Sequence, residues 1–240
     1  MTVHVDRVFA PLDRDHNLER IAGGNETEVY RTDDQRYVVK LKSDLGGSTL
    51  NALITAREMR RHADLYASCL GPEHSIDSHY LIAEDDREHA QVLVVQPFLA
   101  GAEPLYHVDY ERLSDDERQR IAFQLHQIIR RSLEFYRNTG AMPDLYGRTS
   151  SSPAERAHLN TPKMLPRRIW SFLVERNLLR ANNLLLTPAP ERRIALVDYD
   201  FVRRSTLYKR VYYTVRLALF VRDLILIEIM RRGGKVPRGR

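Results

Sequence analysis

Asn183 and Asp198 lie fifteen residues apart, and each adjoins a short apolar run. Three leucines follow Asn183, and Ala195, Leu196 and Val197 precede Asp198. A β-hairpin of this length returns the amide oxygen and the carboxylate to the same end. Two hard oxygen donors there suit Mg²⁺, which completes its shell with phosphate and water. The plainer reading is a hairpin with a polar start and a solvated aspartate. Far upstream, Lys40 ends the run Tyr37-Val38-Val39-Lys40. A strand lysine binds phosphate well when a carboxylate holds its ammonium, and Glu58 in the following helical segment is that candidate. Ile54 and Glu58 are i and i+4, which predicts Glu58 at the margin of the buried face. Lys42 competes with Lys40, since alternation sends both to one face. Each residue alone also fits an ordinary surface position. Ala22, Gly23 and Gly24 lie before this strand. Small residues with free backbone N–H groups allow close approach of phosphate, and the same residues also fit a simple Gly-Gly-Asn turn.

The elements that must position these residues follow from pattern. Glu28 to Arg31 and Arg36 to Leu41 are β-prone and flank the turn-like Thr32-Asp33-Asp34-Gln35, so a hairpin is expected. Thr49 to Tyr66 is expected to be a helix with Leu50, Leu53, Ile54 and Leu65 as its apolar positions. His79 to Ala83 and Gln91 to Phe98 are two further expected strands. Ser114 to Glu117 forms a capping box before Ile121, Leu125, Ile128, Ile129 and Leu133, which recur at helical spacing. Thr139-Gly140 ends that helix. Leu165 to Arg180 is expected to be helical, Leu184–Leu186 and Ile194–Val197 a hairpin, and about Tyr208 to Arg232 a long final helix stopped by Gly233-Gly234. The outcome is α+β. Residues 1–100 form a first lobe with a small antiparallel sheet and one helix, and residues 101–232 form a compact helical second lobe. Residues 233–240 form a basic tail. A cleft between such lobes would be a natural ligand site.

The order and spacing of these patches resemble the protein kinase-like phosphotransferases, most closely the compact small-molecule and atypical kinases. The likeness covers about Leu18 to Val202. It implies a two-lobed protein kinase-like fold and an ATP and Mg²⁺ site. In that resemblance Ala22, Gly23 and Gly24 sit in the phosphate-covering hairpin, though only one of three glycines keeps register. Lys40 holds phosphate, Glu58 holds Lys40, and Gln96 to Leu99, including Phe98, border the adenine. Asn183 and Asp198 hold metal, with Asp-Tyr-Asp replacing Asp-Phe-Gly. The departure is at the catalytic base. The aspartate expected five residues before Asn183 is Leu178, which accepts no proton. Asp144, in Ala-Met-Pro-Asp-Leu-Tyr-Gly, is the alternative base if Arg148 to Arg180 is an insertion. That insertion is basic, with Lys163, Arg167, Arg168, Arg176 and Arg180, and would meet an acidic group or form a solvated face. The resemblance therefore implies an Mg-ATP-dependent transfer to an unidentified hydroxyl-bearing substrate. The alternative is a pseudokinase or regulatory nucleotide-binding module.

Composition limits the remaining choices. The chain has 240 residues, 43% of them hydrophobic, enough for one or two cores. One cysteine, Cys69, excludes an internal disulfide framework and fits a reducing, cytoplasmic setting. The start of the chain lacks a signal-like apolar core. The most apolar stretch, Val215 to Met230, is interrupted by Arg216, Arg222, Asp223 and Glu228, which argues against a membrane span. Histidines are scattered without zinc spacing, and Ser150-Ser151-Ser152 lacks a nucleophile-elbow context. The net charge of +5 gathers toward Arg231, Arg232, Lys235, Arg238 and Arg240. Such a tail would stay solvated or meet nucleic acid or an anionic membrane.

Overall fold

The computed structural model describes residues 19–23, 27–32, 34–42, 48–84, 90–146, 161–164, 166, 177–199 and 206–236. The architecture is α+β. The chain divides into two compact units, with residues 76–100 in the first and residues 101–146 in the second. Residues 66–75 also belong to the second unit.

The first unit is built on five antiparallel strands. They are β1 (Glu19–Gly23), β2 (Thr27–Arg31), β3 (Tyr37–Lys42), β4 (His79–Glu84) and β5 (Ala90–Pro97), in the order β1-β2-β3-β5-β4. The continuous apolar run Val92–Val95 of β5 is buried on both faces, which suits a strand flanked on either side. Val39, Leu93 and Val95 form one cluster with Leu41, Leu81 and Ala83 against it. Strand alternation sends Lys40 to the opposite face. One row of paired positions crosses the whole sheet: Ala22, Val29, Lys40, Val94 and Tyr80. The glycine-containing hairpin and the candidate lysine are thus in register.

Helix α1 (Thr49–Leu70) follows β3 and runs four residues past its expected end. Its buried face is not the predicted one. Leu50, Ile54 and Leu65 are exposed, whereas Ala52, Ala56, Ala63, Tyr66 and Leu70 are buried. These buried positions recur at steps of four, seven, three and four, which is helical spacing. Weighting the larger leucines hid that stripe. Glu58 shares the exposed side with Ile54 rather than lying at the edge of the core. The last turn is fixed within the second unit. Tyr66 meets Phe135 edge to face at 6.0 Å, and the Arg131 guanidinium donates to the Leu70 carbonyl and pairs with Glu73 at 2.6 Å.

The second unit contains α2 (Asp115–Thr139), α3 (Thr206–Arg231) and a three-stranded sheet. Its strands are β6 (Glu103–Pro104), β7 (Leu184–Leu186) and β8 (Ile194–Leu196). The capping box forms as its sequence requires, with Ser114 and Glu117 bonded reciprocally. Gly140 closes α2 in the left-handed conformation, φ 70°. Of the helix expected over Leu165 to Arg180, residues 165 and 167–176 lie outside the described residues. Its end differs from expectation. Asn177 is extended and Leu178–Arg180 form a single 3-10 turn, because the chain must enter β7 only four residues later. Among the described residues, no helix is long and apolar enough to cross a membrane.

The capping box also yields a pH dependence. The Ser114 N–H, then Arg192 and the Ser114 hydroxyl, hold the Glu117 carboxyl at about 2, below its ordinary 4.5. A carboxyl lowered in the folded state stabilises above its unfolded value and loses that contribution as pH falls through the folded one. The denaturation midpoint is therefore expected to fall as pH drops from 4.5 to about 2. Glu117→Gln should show a shallower fall over the same range in urea titrations, and an identical slope would refute this role.

Candidate active site

The hairpin that carries Asn183 and Asp198 is rigid because its strands are apolar and buried. Leu184, Leu186, Ile194, Ala195 and Leu196 are all in the core. Leu184 pairs with Leu196 and Leu186 with Ile194. The Val197 N–H donates to the Asn183 carbonyl at 3.0 Å, which extends the pairing by one step. Asn183 thus lies opposite Val197, and Asp198 is the next residue. Both are half-buried. Neighbouring segments brace the far side. The Leu196 N–H donates to the His74 carbonyl at 2.9 Å, and the Gln124 side chain bonds the Ile194 N–H and the Arg192 carbonyl at 2.8 and 2.7 Å.

Asp144 lies beside this hairpin end despite a separation of 39 residues from Asn183. The Asn183 Nδ2 donates to the Asp144 carbonyl at 2.9 Å, and the Asn182 N–H donates to the Tyr146 carbonyl at 2.9 Å. The two ends of the proposed insertion therefore meet at 144–146 and 182–183. The first contact engages the nitrogen of the Asn183 amide, leaving Oδ1 as its acceptor atom. Leu178, at the position expected for a base, is fully buried. Its N–H donates to the Asp223 carboxylate at 3.2 Å, so this position supports the fold.

The Asp144 carboxylate is held by a residue the sequence reading did not select. Arg216 of α3 donates from Nη2 to Asp144 Oδ1 at 2.9 Å, and the Tyr146 N–H donates to the same oxygen at 3.3 Å. Arg216 is 1% exposed. Its guanidinium lies over the Tyr146 ring at 3.8 Å and the Tyr212 ring at 5.3 Å. Burial works against its charge, but Asp144, Tyr212, Tyr146 and Asp223 outweigh burial and move its pKa upward. Two turns further, Asp223 is also buried. It accepts from the Tyr146 hydroxyl, from the Leu178 N–H and from Arg222 at 2.8 Å. Burial raises the Asp223 carboxyl despite these donors, and burial likewise raises the Tyr146 hydroxyl well above its ordinary value. A signal for both residues was present. Arg216 and Asp223 interrupt an apolar helix, and charges among buried apolar residues need partners.

The other candidates lie in the first unit. Lys40 is half-buried and Glu58 is exposed. Ala22 pairs with Val29 and Gly23 with Glu28, while Gly24 lies outside the described residues. Gln96 is 3% exposed, and its side-chain amide donates inward to Ser78 at 2.8 Å. Phe98 is half-buried, donates its N–H to the Arg36 carbonyl at 2.7 Å and has Arg31 over its ring at 5.5 Å. Among the described residues, no three His, Cys, Asp or Glu side chains cluster as a metal site. The donor set of Asn183 and Asp198 nevertheless fits Mg²⁺, which commonly uses one or two protein oxygens and takes the rest from phosphate and water.

No family model matches the chain, and no curated protein matches it. Among solved structures, it is similar to a mutant aminoglycoside 2′-phosphotransferase-IIIa in its GDP complex. That match has 13% identity and a TM-score of 0.39, covering 95% of this chain and 83% of that one. It is also similar to spectinomycin phosphotransferase with ADP and spectinomycin, at 15% identity and a TM-score of 0.35, covering 83% and 70%. A third similarity is to the PknI kinase domain of Mycobacterium tuberculosis, at 15% identity and a TM-score of 0.37, covering 93% and 88%. At these scores the functional reading rests on this chain's own residues.

The network gives a stability prediction. Tyr146→Phe removes a donor to the buried Asp223 carboxylate without opening a large cavity. The expected loss is about 1–3 kcal/mol in urea denaturation. Unchanged stability would mean that the hydroxyl contact contributes nothing.

Proposed function

We propose that the protein is a kinase-like phosphotransferase that moves the terminal phosphoryl group of Mg-ATP to a hydroxyl. The observation that supports this most is the 2.9 Å bond from the Asn183 amide to the Asp144 carbonyl. It sets a carboxylate residue beside the hairpin end that carries Asp198, without the usual short catalytic loop. In this reading Asp144 accepts the proton of the acceptor hydroxyl. The acceptor oxygen bonds to the phosphorus, and the bond to the departing diphosphate breaks. Arg216 orients the Asp144 carboxylate. Asn183 and Asp198 hold Mg²⁺, which when bound neutralises phosphate charge. Lys40 binds phosphate oxygens, supported by its shared register with Ala22 and the glycine hairpin, and Glu58 steadies Lys40. The small residues at Ala22, Gly23 and Gly24 would allow close approach of phosphate. The edge at Gln96 and Phe98 borders the base, with the Gln96 side chain bonded to Ser78.

A second reading, a pseudokinase or regulatory nucleotide-binding module, is favoured by one observation. The Asp144 carboxylate already accepts from Arg216 and the Tyr146 N–H.

Nucleotide binding with and without Mg²⁺, followed by ATP turnover, separates the two. Asp198→Ala is expected to remove the Mg²⁺ dependence of nucleotide binding. Asp144→Asn removes the counter-charge of buried Arg216 and should lower stability. Measured at a temperature where the variant is folded, it should leave nucleotide affinity nearly unchanged and lower turnover by about 10²–10⁴-fold, the usual contribution of a general base. Binding without turnover in the unaltered protein would favour the regulatory reading. Absence of nucleotide binding would overturn both.

A further inference from the structure

Helix α3 buries two charges among apolar residues such as Leu219, Phe220, Ile227 and Met230, and exposes a second set of apolar residues on its outward face. Arg216 and Asp223 are buried. On the outward face Val221 is 61% exposed, Ile225 58% and Ile229 38%, with Leu224 exposed beside them. Val221, Ile225 and Ile229 are successive i, i+4 positions, so they form one stripe along the helix. A surface helix ordinarily turns polar residues to water, so an apolar stripe of this length implies a covering partner.

The stripe runs into a basic end. Arg231 and Arg232 share Glu228, at 2.7 and 2.6 Å, so their two positive charges meet one negative. Lys235 follows, and Arg238 and Arg240 lie beyond the described residues. Residues 206–240 hold nine of the chain's 37 Lys and Arg but two of its 32 Asp and Glu, a net charge of +7. The other 205 residues hold 28 against 30, a net of −2. The basic character of the protein is therefore a property of this one segment.

We propose that the outward face of α3, with Arg231, Arg232 and Lys235 at its end, docks on an anionic lipid bilayer. The helix lies along the surface with Val221, Ile225 and Ile229 among the lipid chains and the cations at the headgroups. Interfacial helices combine these two features, and anionic headgroups attract basic segments next to the apolar face. Nucleic acid offers phosphates to the cations but leaves the exposed valine and isoleucines without an apolar partner. This docking requires nothing of the phosphotransfer reading and fails or stands separately from it.

The test is co-sedimentation of the full chain with phosphatidylcholine vesicles, with and without phosphatidylserine, and with duplex DNA as a competing probe. Binding to the anionic vesicles is expected, weakening about fivefold for Lys235→Gln. Val221→Ser with Ile225→Ser should abolish binding while leaving the melting temperature unchanged. Should that double variant melt early, Ile229→Ser alone should still weaken vesicle binding. Lack of binding to anionic vesicles overturns the proposal, as does full binding by the serine variants. So does tight DNA binding in place of vesicle binding, or a dimer of the unaltered chain that the double variant dissociates.

Discussion

A guanidinium that is 1% exposed must be neutralised locally, and this requirement at Arg216 organises the second unit. Its partners come from separate stretches of chain. Asp144 and Tyr146 lie after α2, and Tyr212 lies one turn earlier on α3. Removing one member of such a pair leaves an uncompensated buried charge, which costs far more than an exposed pair contributes. The same helix presents Asp223 to Tyr146 and Leu178. Two charges on one helix face thereby fix the segment 144–146 and the approach to β7. Asn183 inherits its position from both.

Much of this was legible in the sequence because it depended on local pattern. The capping box at Ser114, the β7–β8 hairpin and the strand pairing around Lys40 each follow from short-range rules of spacing and alternation. The adjacency of Asp144 and Asn183 was approachable only through the resemblance, since no local rule links residues 39 apart. The face of α1 was misread for a physical reason. Leucine dominates hydrophobicity counts, whereas Ala52, Ala56 and Ala63 allow close packing with little side-chain volume. Arg216 and Asp223 were read only as obstacles to a membrane span. Their importance depends on partners distant in sequence, which periodicity does not reveal.

Helix α3 meets two environments, with apolar residues and paired charges on its inner face and an exposed apolar stripe on its outer one. Its inner face needs fixed charges to position Asp144 and anchor Tyr146, and those charges are affordable only where buried partners meet them. Its outer face carries the apolar residues that would ordinarily fill a core. Helical spacing keeps the two functions on separate stripes, so the exposed positions can vary without touching the ion pairs. That separation is why surface substitutions at Val221 and Ile225 report on docking rather than on the fold.

The same economy of contacts explains how a distant aspartate stands beside Asn183. A short loop between a base and this asparagine would fix their distance through covalent connectivity. Here the position five residues upstream is Leu178, and the separation to Asp144 is 39 residues. Lengthening the closed segment from five to 39 residues raises its closure cost by only about 2 kcal/mol, because that cost grows with the logarithm of length. The Asn183-to-Asp144 bond, the Asn182-to-Tyr146 bond and the Arg216 ion pair are together enough to offset it. Once those contacts fix the ends, the intervening residues are released from setting the geometry. Leu178 can then serve the core, donating its N–H to Asp223, while Arg216 and the Tyr146 N–H hold the Asp144 carboxylate beside Asn183.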